Sequence, residues 1–289
     1  MRDQRRTARR SGRLVVRGKV YGLLVFLTSA WSLVELSKRT PQFLAPTTAR
    51  TVPGTALARV ISYSLYGDDP RYTEGAFENA LLVGKIYPGW SMRVYHDSSV
   101  PVEVLSRLEQ LGVELRDMRN SSLNKMTWRF LVASDPNLTH WCVRDVDARL
   151  SQREKVCVDA WLASGKKAHV IRDHPSHTQV IPGGMWCGTS AVMPELERIL
   201  TLNSVANSYN ADQRFLKQFV WPRLRTSVLQ HVSFGCKHFS GSMPIPVSRI
   251  GLEHVGSVFV GGNIRKIDTI LLQQAIRDGK ECIDEEHSP

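Results

Sequence analysis

The stretch Trp141-Cys142-Val143-Arg144-Asp145-Val146-Asp147-Ala148-Arg149-Leu150 constrains the fold more than any other part of the chain. An apolar run breaks off into two carboxylates one residue apart, and Ser151-Gln152-Arg153-Glu154 follows at once. Residues two apart in an extended chain point to the same side, so Asp145 and Asp147 can converge at the end of a buried strand. Ser151-x-x-Glu154 is a capping box. It predicts a helix running through Trp161 and Leu162 and stopping at Gly165. The order strand, acid pair, helix puts anionic oxygens at the carboxyl end of a strand, where open α/β sheets bind ligands. Two carboxylates with room for waters suit Mg2+ or Mn2+, and such an ion usually also carries a substrate phosphate.

The flanking sequence supports the same class. Strands are expected over 59–67, 91–96, 113–115, 140–143 and 168–172. Helices are expected over 73–86, 101–111, 125–133, 151–165, 194–200 and 212–220, and from 266 to 277. In the first helix Phe77, Ala80, Leu81 and Gly84 share a face; in the second Val104, Leu105, Leu108 and Leu111 do. Trp221-Pro222 is expected to end the 212–220 helix. Gly183-Gly184-Met185-Trp186 reads as a loop that needs close backbone approach. Alternating strands and helices argue for an α/β domain with a mainly parallel central sheet flanked by helices. This domain is expected over 58–262, with a C-terminal helix and polar tail over 263–289. Tyr66, Asp97 and Asp145/Asp147 then all fall at carboxyl ends of strands.

The net charge of +11 invites a nucleic-acid reading, but residues 1–19 hold eight Arg or Lys and one Asp. The excess therefore belongs to a basic tail, and no basic stripe with interleaved aromatics marks a nucleic-acid partner. Val20–Leu36 is apolar apart from Thr28, two serines and Glu35. As a helix it would span about 25 Å, the low end of the membrane-spanning range. The basic residues before it predict a cytosolic N-terminus and a single-pass signal anchor; an Arg-rich organelle transit peptide is the alternative. Residues 37–57 read as a stem. Asn120-Ser-Ser and Asn137-Leu-Thr are acceptor sequons that agree with a lumenal domain in the Golgi or endoplasmic reticulum. The five cysteines lack C-x-x-C spacing, which argues against a zinc cluster. Cys142 and Cys157 sit in apolar contexts and read as buried thiols, while any disulfide pairing is left open.

Further polar clusters follow the acid pair: Arg172-Asp-His174-Pro-Ser-His177, Asn210-Ala-Asp212-Gln213-Arg214, and His231 and His238 flanking Cys236. Asp212 suits either a helix cap or a catalytic group. Taken together, Arg144-Asp-Val-Asp-Ala-Arg149, Arg153-Glu154, Arg172–His177, Gly183–Trp186 and Asp212-Gln213-x-Phe-Leu216 resemble nucleotide-sugar-dependent glycosyltransferases of the GT-A fold. The chain is similar to a poorly characterised eukaryotic and viral group related to them. The resemblance implies a Rossmann-like sheet, a DxD motif at Asp145–Asp147, and an enzyme moving a sugar from a nucleotide-sugar donor, a UDP-sugar foremost. The acceptor would be a hydroxyl of a glycan, protein or lipid. It implies that Tyr63, Tyr66 and Arg71 border the uracil or ribose, and that Arg144 and Asp145 lie at the donor. Asp145 and Asp147 would hold Mn2+ or Mg2+, with His231 as a late histidine ligand. Gly183, Gly184 and Trp186 would lie beside the donor sugar, and Asp212 and Gln213 at the sugar or acceptor. Two rivals share the acid pair: a metal-dependent phosphohydrolase of the haloacid-dehalogenase type, and a non-catalytic sugar-binding protein on a transferase fold. Arg149 departs from the Thr or Val that the phosphohydrolases carry two residues after the second Asp.

Overall fold

The computed structural model describes residues 58–190, 192–203, 208 and 210–282. The basic tail, the apolar segment 20–36 and the stem lie outside the described residues. No helix among the described residues is long and apolar enough to cross a membrane.

Seven strands form one sheet: β1 (Arg59–Leu65), β2 (Ser91–His96), β3 (Glu114–Asp117), β4 (His140–Arg144), β5 (Ala168–Arg172), β6 (Met185–Thr189) and β7 (Val228–Val232). Their order is β3-β2-β1-β4-β6-β5-β7. Every neighbouring pair is parallel except the two that involve β6, which runs antiparallel between β4 and β5. The mainly parallel α/β sheet expected from the sequence is therefore present. The helices are α1 (Pro70–Ile86), α2 (Val102–Gln110), α3 (Gln152–Ser164), α4 (Leu196–Leu202), α5 (Ala211–Phe215), α6 (Trp221–Leu224) and α7 (Lys266–Arg277), with a 3-10 segment over Lys125–Ser134.

Strand alternation divides the core between the two sheet faces. Val60, Trp141, Val143 and Trp186 join one cluster with Phe130, Leu196 and Leu216. Ile61, Tyr63, Leu65, Cys142 and Cys187 join the other with Ala76, Leu108 and Trp161. Trp141 and Trp186 meet edge to face at 4.8 Å, a contact worth about 0.5–1.5 kcal/mol beyond its buried area.

Four expectations are corrected. Residues 185–189 and 228–232 are strands that the sequence pattern did not reveal. The buried face of α1 is Thr73, Gly75, Ala76, Asn79 and Val83; Leu81 is exposed and Phe77 lies under the Arg107 guanidinium. The helix does not stop at Trp221-Pro222: a π-helical turn over Leu216–Val220 carries it into α6. That wider turn, with Pro222 in the first turn of α6, accommodates a residue with no N–H to donate. Finally, Cys142 is no thiol but is bonded to Cys187, its cross-strand partner on β6.

The described residues after 262 pack on the sheet-bearing unit. The described residues from 58 to 282 form one compact unit. Leu272 and Ala275 of α7 pack on Phe234, and a Cys236–Cys282 disulfide ties down the segment after α7.

Candidate active site

β1, β2 and β4 end on one edge of the sheet, which delivers Tyr66, Asp97 and Asp145 there together. Behind them, the small side chains of β1 fix a cation. Ser62 and Ser64 share a strand face; Ser62 Oγ donates to the Arg129 carbonyl (2.7 Å) and Ser64 Oγ accepts the Arg129 N–H (2.9 Å). With its backbone clipped at both ends, Arg129 reaches across the sheet edge. Nη1 donates to Asp145 Oδ1 at 2.6 Å and Nη2 to Asp212 Oδ2 at 3.1 Å. Burial works to lower the pKa of this guanidinium, but Asp145 and Asp212 outweigh it and hold the group above its ordinary value. Nothing in the sequence reading singled out Arg129. The available signal was a charge inside an apolar run, Trp128-Arg129-Phe130, which is seldom buried without a partner.

The loop bearing Asp147 is held by α1. Asn79 Nδ2 donates to the carbonyls of Val146 (3.2 Å) and Ala148 (2.8 Å), and its Oδ1 accepts the Leu150 N–H (3.1 Å). A Cβ on Gly75 would lie 2.2 Å from the Val146 carbonyl oxygen, so the helix can approach the loop this closely only with glycine there. The Phe259 N–H donates to the Asp147 carbonyl at 2.9 Å. Arg71, in the first turn of α1, forms an ion pair with Asp147. Burial raises the Asp147 pKa, the negative charge of Asp145 adds to this, and Arg71 opposes both.

The Gly183-Gly184 pair meets this group from β6. A Cβ on Gly184 would lie 2.1 Å from Asp145 Oδ2, and one on Gly183 would lie 2.9 Å from Arg129 Nη2 and from Asp212 Oδ2. The close approach expected of this loop is thus its contact with the acid group. Oriented by its partners, the Gln213 amide donates to the Ile181 carbonyl (2.9 Å) and accepts the Gly183 N–H (2.8 Å), which pins the glycine loop. Asp212, buried beside it, accepts the Gln213 N–H at 2.8 Å. Asn210, at the start of α5, is the one described non-glycine residue with a left-handed backbone, φ 59°.

Tyr66 stands at the rim, 36% exposed, edge-on to Trp128 and with Lys125 Nζ 5.7 Å from its ring centre. Lys125 also pairs with Asp97 at 2.5 Å. Past Asp97 opens a cleft of about 580 Å3 walled by Ser98, Ser99, Val102 and Leu105.

Four expected site residues are elsewhere. Tyr63 faces the core with Ile61 and Leu65, away from Ser62 and Ser64, and is fully buried. Arg144 is buried in an ion pair with Glu154 (2.7 Å) and donates to the Trp186 carbonyl (3.2 Å). Glu154 caps nothing: its carboxylate takes Arg144 and the Tyr87 hydroxyl, although Ser151 caps α3 as expected. Trp186 is fully buried against Trp141 and Phe130. His231 is buried on β7, its Nδ1 2.8 Å from His169 Nε2, and burial pushes its pKa down to about 4; it is not brought to the acid pair.

Among the described residues no group of three His, Cys, Asp or Glu is arranged to hold a metal. Asp145 and Asp147 fit a hard divalent cation as a two-carboxylate site completed by waters and substrate phosphate. The charge of Asp145 already raises the proton affinity of Asp147, which is the repulsion a cation would relieve. Three carboxylates (Asp145, Asp147 and Asp212) face two guanidinium groups (Arg71 and Arg129).

No protein-family model matches the chain, and no curated protein does. Solved structures of similar fold include the mannosyltransferase PcManGT from Pyrobaculum calidifontis, in complex with GDP-Man and Mn2+. It is 14% identical and aligned over 56% of this chain and 51% of its own, with a TM-score of 0.40. The glycosyltransferase GlyE of Streptococcus pneumoniae TIGR4 is 14% identical over 64% of this chain and 48% of its own, with a TM-score of 0.42. Glucosyl-3-phosphoglycerate synthase of Mycobacterium tuberculosis, with Mn2+, UDP-glucose and phosphoglyceric acid, is 12% identical over 61% and 69%, with a TM-score of 0.38. The chain spans about half the length of the first two. The likeness is one of fold, it assigns no family, and what the chain does is argued from its own residues.

Proposed function

We propose that the chain is a glycosyltransferase moving a sugar from a nucleotide-sugar donor, a UDP-sugar in the first instance, to a hydroxyl acceptor on a glycan, protein or lipid. The observation that carries this reading is the convergence of Asp145, Asp147 and Asp212, with Arg129, Arg71 and the Gly183–Gly184 loop, on the carboxyl edge of a mainly parallel sheet. Asp145 and Asp147 would hold Mn2+ or Mg2+, which as a Lewis acid offsets the charge growing on the leaving diphosphate. Arg71 and Arg129 are placed to add to that stabilisation. The nucleoside would lie against Tyr66 and in the cleft beyond Asp97, and the bare backbone at Gly183–Gly184 leaves room for the sugar. In an inverting reaction Asp212 would accept the proton of the attacking hydroxyl, and Gln213 holds the loop beside it. A screen of nucleotide sugars for Mn2+-dependent hydrolysis tests this. Release of the nucleotide from one sugar class, lost in Asp145→Asn, is expected; no turnover of any nucleotide sugar would refute it.

The chain is also read as a single-pass membrane protein of the Golgi or endoplasmic reticulum, anchored by residues 20–36 with the catalytic unit in the lumen. The charge step across that segment supports it, as do the disulfides Cys142–Cys187 and Cys236–Cys282, which suit an oxidising compartment. Asn120 and Asn137 are both exposed. A glycosidase-sensitive mobility shift in a eukaryotic host is expected; organellar import with N-terminal cleavage would contradict it.

A further inference from the structure

A second cavity lies on the same sheet edge, beyond the parallel pair β5 and β7. Asp173 follows β5 directly and Ser233 follows β7. The cavity measures about 630 Å3, and none of the residues lining it belongs to the group around Asp145, Asp147 and Asp212. One wall is the apolar run Pro244–Val247 with Ile276 opposite, and two arginines, Arg153 and Arg249, supply its charge.

These arginines are fixed from behind. Asp173, fully buried, accepts Arg153 Nε (2.7 Å) and Nη2 (2.9 Å), Arg249 Nη2 (2.8 Å), Ser233 Oγ (2.6 Å) and the Val255 N–H (2.9 Å). One carboxylate cannot balance two guanidinium groups, and the remaining positive charge is met by Glu281. Its Oε1 accepts Arg249 Nη2 at 2.8 Å and Nε at 3.2 Å, and lies 4.0 Å from Arg153 Nη2. The two arginine side chains are 5% and 8% exposed, whereas Glu281 is 31% exposed. Glu281 also stands apart from the sheet and its helices. It sits on the short strap after α7, bridged to Phe234 and closed by the neighbouring Cys236–Cys282 disulfide. The cationic end of the cavity is thus rigid and buried, and its counter-charge is a half-exposed side chain on a surface strap.

We propose that this cavity is a binding site for a small organic carboxylate, in which Glu281 is the chain's own exchangeable occupant. At the wall of the cavity Glu281 already sets a carboxylate oxygen, Oε1, against Nε and Nη2 of Arg249, and that edge of a guanidinium matches a carboxylate in a bidentate manner. The wall of Pro244, Ile245 and Val247 would take the apolar body of the ligand. Because Glu281 is tethered on both sides, it competes at an effective concentration on the order of millimolar. A ligand that displaces it therefore binds weakly in the wild type and tightly once that competition is removed.

The test is calorimetric titration of the full chain with butyrate and, separately, with inorganic phosphate. Glu281→Gln is expected to bind butyrate at least tenfold more tightly than the wild type, and Arg249→Lys in that background to lose at least fivefold by giving up the fork. Glu281→Asp keeps the charge with a shorter reach and is expected to be intermediate, which reads the same competition should Glu281→Gln unfold. Equal butyrate affinity in the wild type and Glu281→Gln, or no saturable binding to a folded Glu281→Gln, would overturn the site. Tighter binding of phosphate than of butyrate would overturn its assignment to carboxylates. These outcomes do not depend on nucleotide binding at Asp147, so failure here leaves the transferase reading standing.

Discussion

Arg129→Met tests whether one buried cation organises the acid group. The substitution keeps length and apolar stem and leaves the Ser62 and Ser64 contacts, which are to backbone, in place. Two carboxylates lose their partner, and they are not equivalent. Asp212 is 8% exposed and Arg129 10%, whereas Asp145 is 39% exposed. Stranding a buried charge costs about 3–5 kcal/mol; the exposed arm adds at most about 1 kcal/mol. At roughly 2–4 °C per kcal/mol for a unit of this size, the melting temperature should fall by roughly 6–24 °C. The double variant Arg129→Met/Asp212→Asn removes the stranded charge as well, so it should recover at least half of the loss. Urea unfolding followed by circular dichroism at pH 7 measures both. A loss below about 1 kcal/mol in the single variant, or a double variant as unstable as the summed singles, would refute this view of Arg129.

Four further outcomes are expected. Gly184→Ala drives a Cβ to 2.1 Å from Asp145 Oδ2 and 2.7 Å from its backbone nitrogen, so a loss of about 1–3 kcal/mol is expected. Gly84→Ala on α1, with open space around it, should be neutral or stabilising by about 0.4–1 kcal/mol, and thermal melts compare the two. Burial holds His231 down to about 4, against about 6.5 in an unfolded chain. Between those values the unfolded state binds the extra proton, so stability is full above about pH 6.5 and declines toward pH 4, by roughly 3 kcal/mol from this residue. Urea unfolding at pH 7.5, 5.5 and 4.5 should show that decline, smaller in His231→Phe. Replacing Cys142 and Cys187 together by Ala opens a loop with 45 residues of separation, for a chain-entropy loss of about 4 kcal/mol; a melting temperature unchanged from the oxidised wild type would contradict it.

Local signals located most of the sheet and the acid pair but not what surrounds them. An apolar run ending in Asp145-Val-Asp147 followed by Ser151 is readable because strand, loop acids and helix cap are each written within a few residues. β6 was hidden because Gly183-Gly184-Met185-Trp186 reads as one loop; within the strand Gly188 is required by the ring of Trp141, 2.4 Å from where its Cβ would be. The face of α1 was misread because its buried positions include Thr73 and Asn79. Asn79 is buried to satisfy loop carbonyls 67 and 69 residues away, a demand that helical periodicity cannot express. The family resemblance, not a local signal, put Tyr63, Arg144 and Trp186 at the donor beside Tyr66, Asp145 and Gly184. Strand alternation turns Tyr63 to the face opposite Ser62 and Ser64, Arg144 is drawn to Glu154, and Trp186 packs on Trp141 and Phe130, so all three are buried. Arg129 and Asp212 meet across 83 residues, a pairing set by the sheet order and by no local pattern.

The central claim is that Asp147 belongs to a cation site serving a nucleotide diphosphate. Calorimetric titration of UDP with and without Mn2+, on wild type and on Asp147→Asn, tests it most directly, because the substitution keeps shape and removes one charge. The wild type should bind UDP at least tenfold more tightly with Mn2+ than without. Asp147→Asn should lose most of that metal-dependent gain while melting as a folded protein. Equal, metal-independent affinity in both proteins would contradict the account.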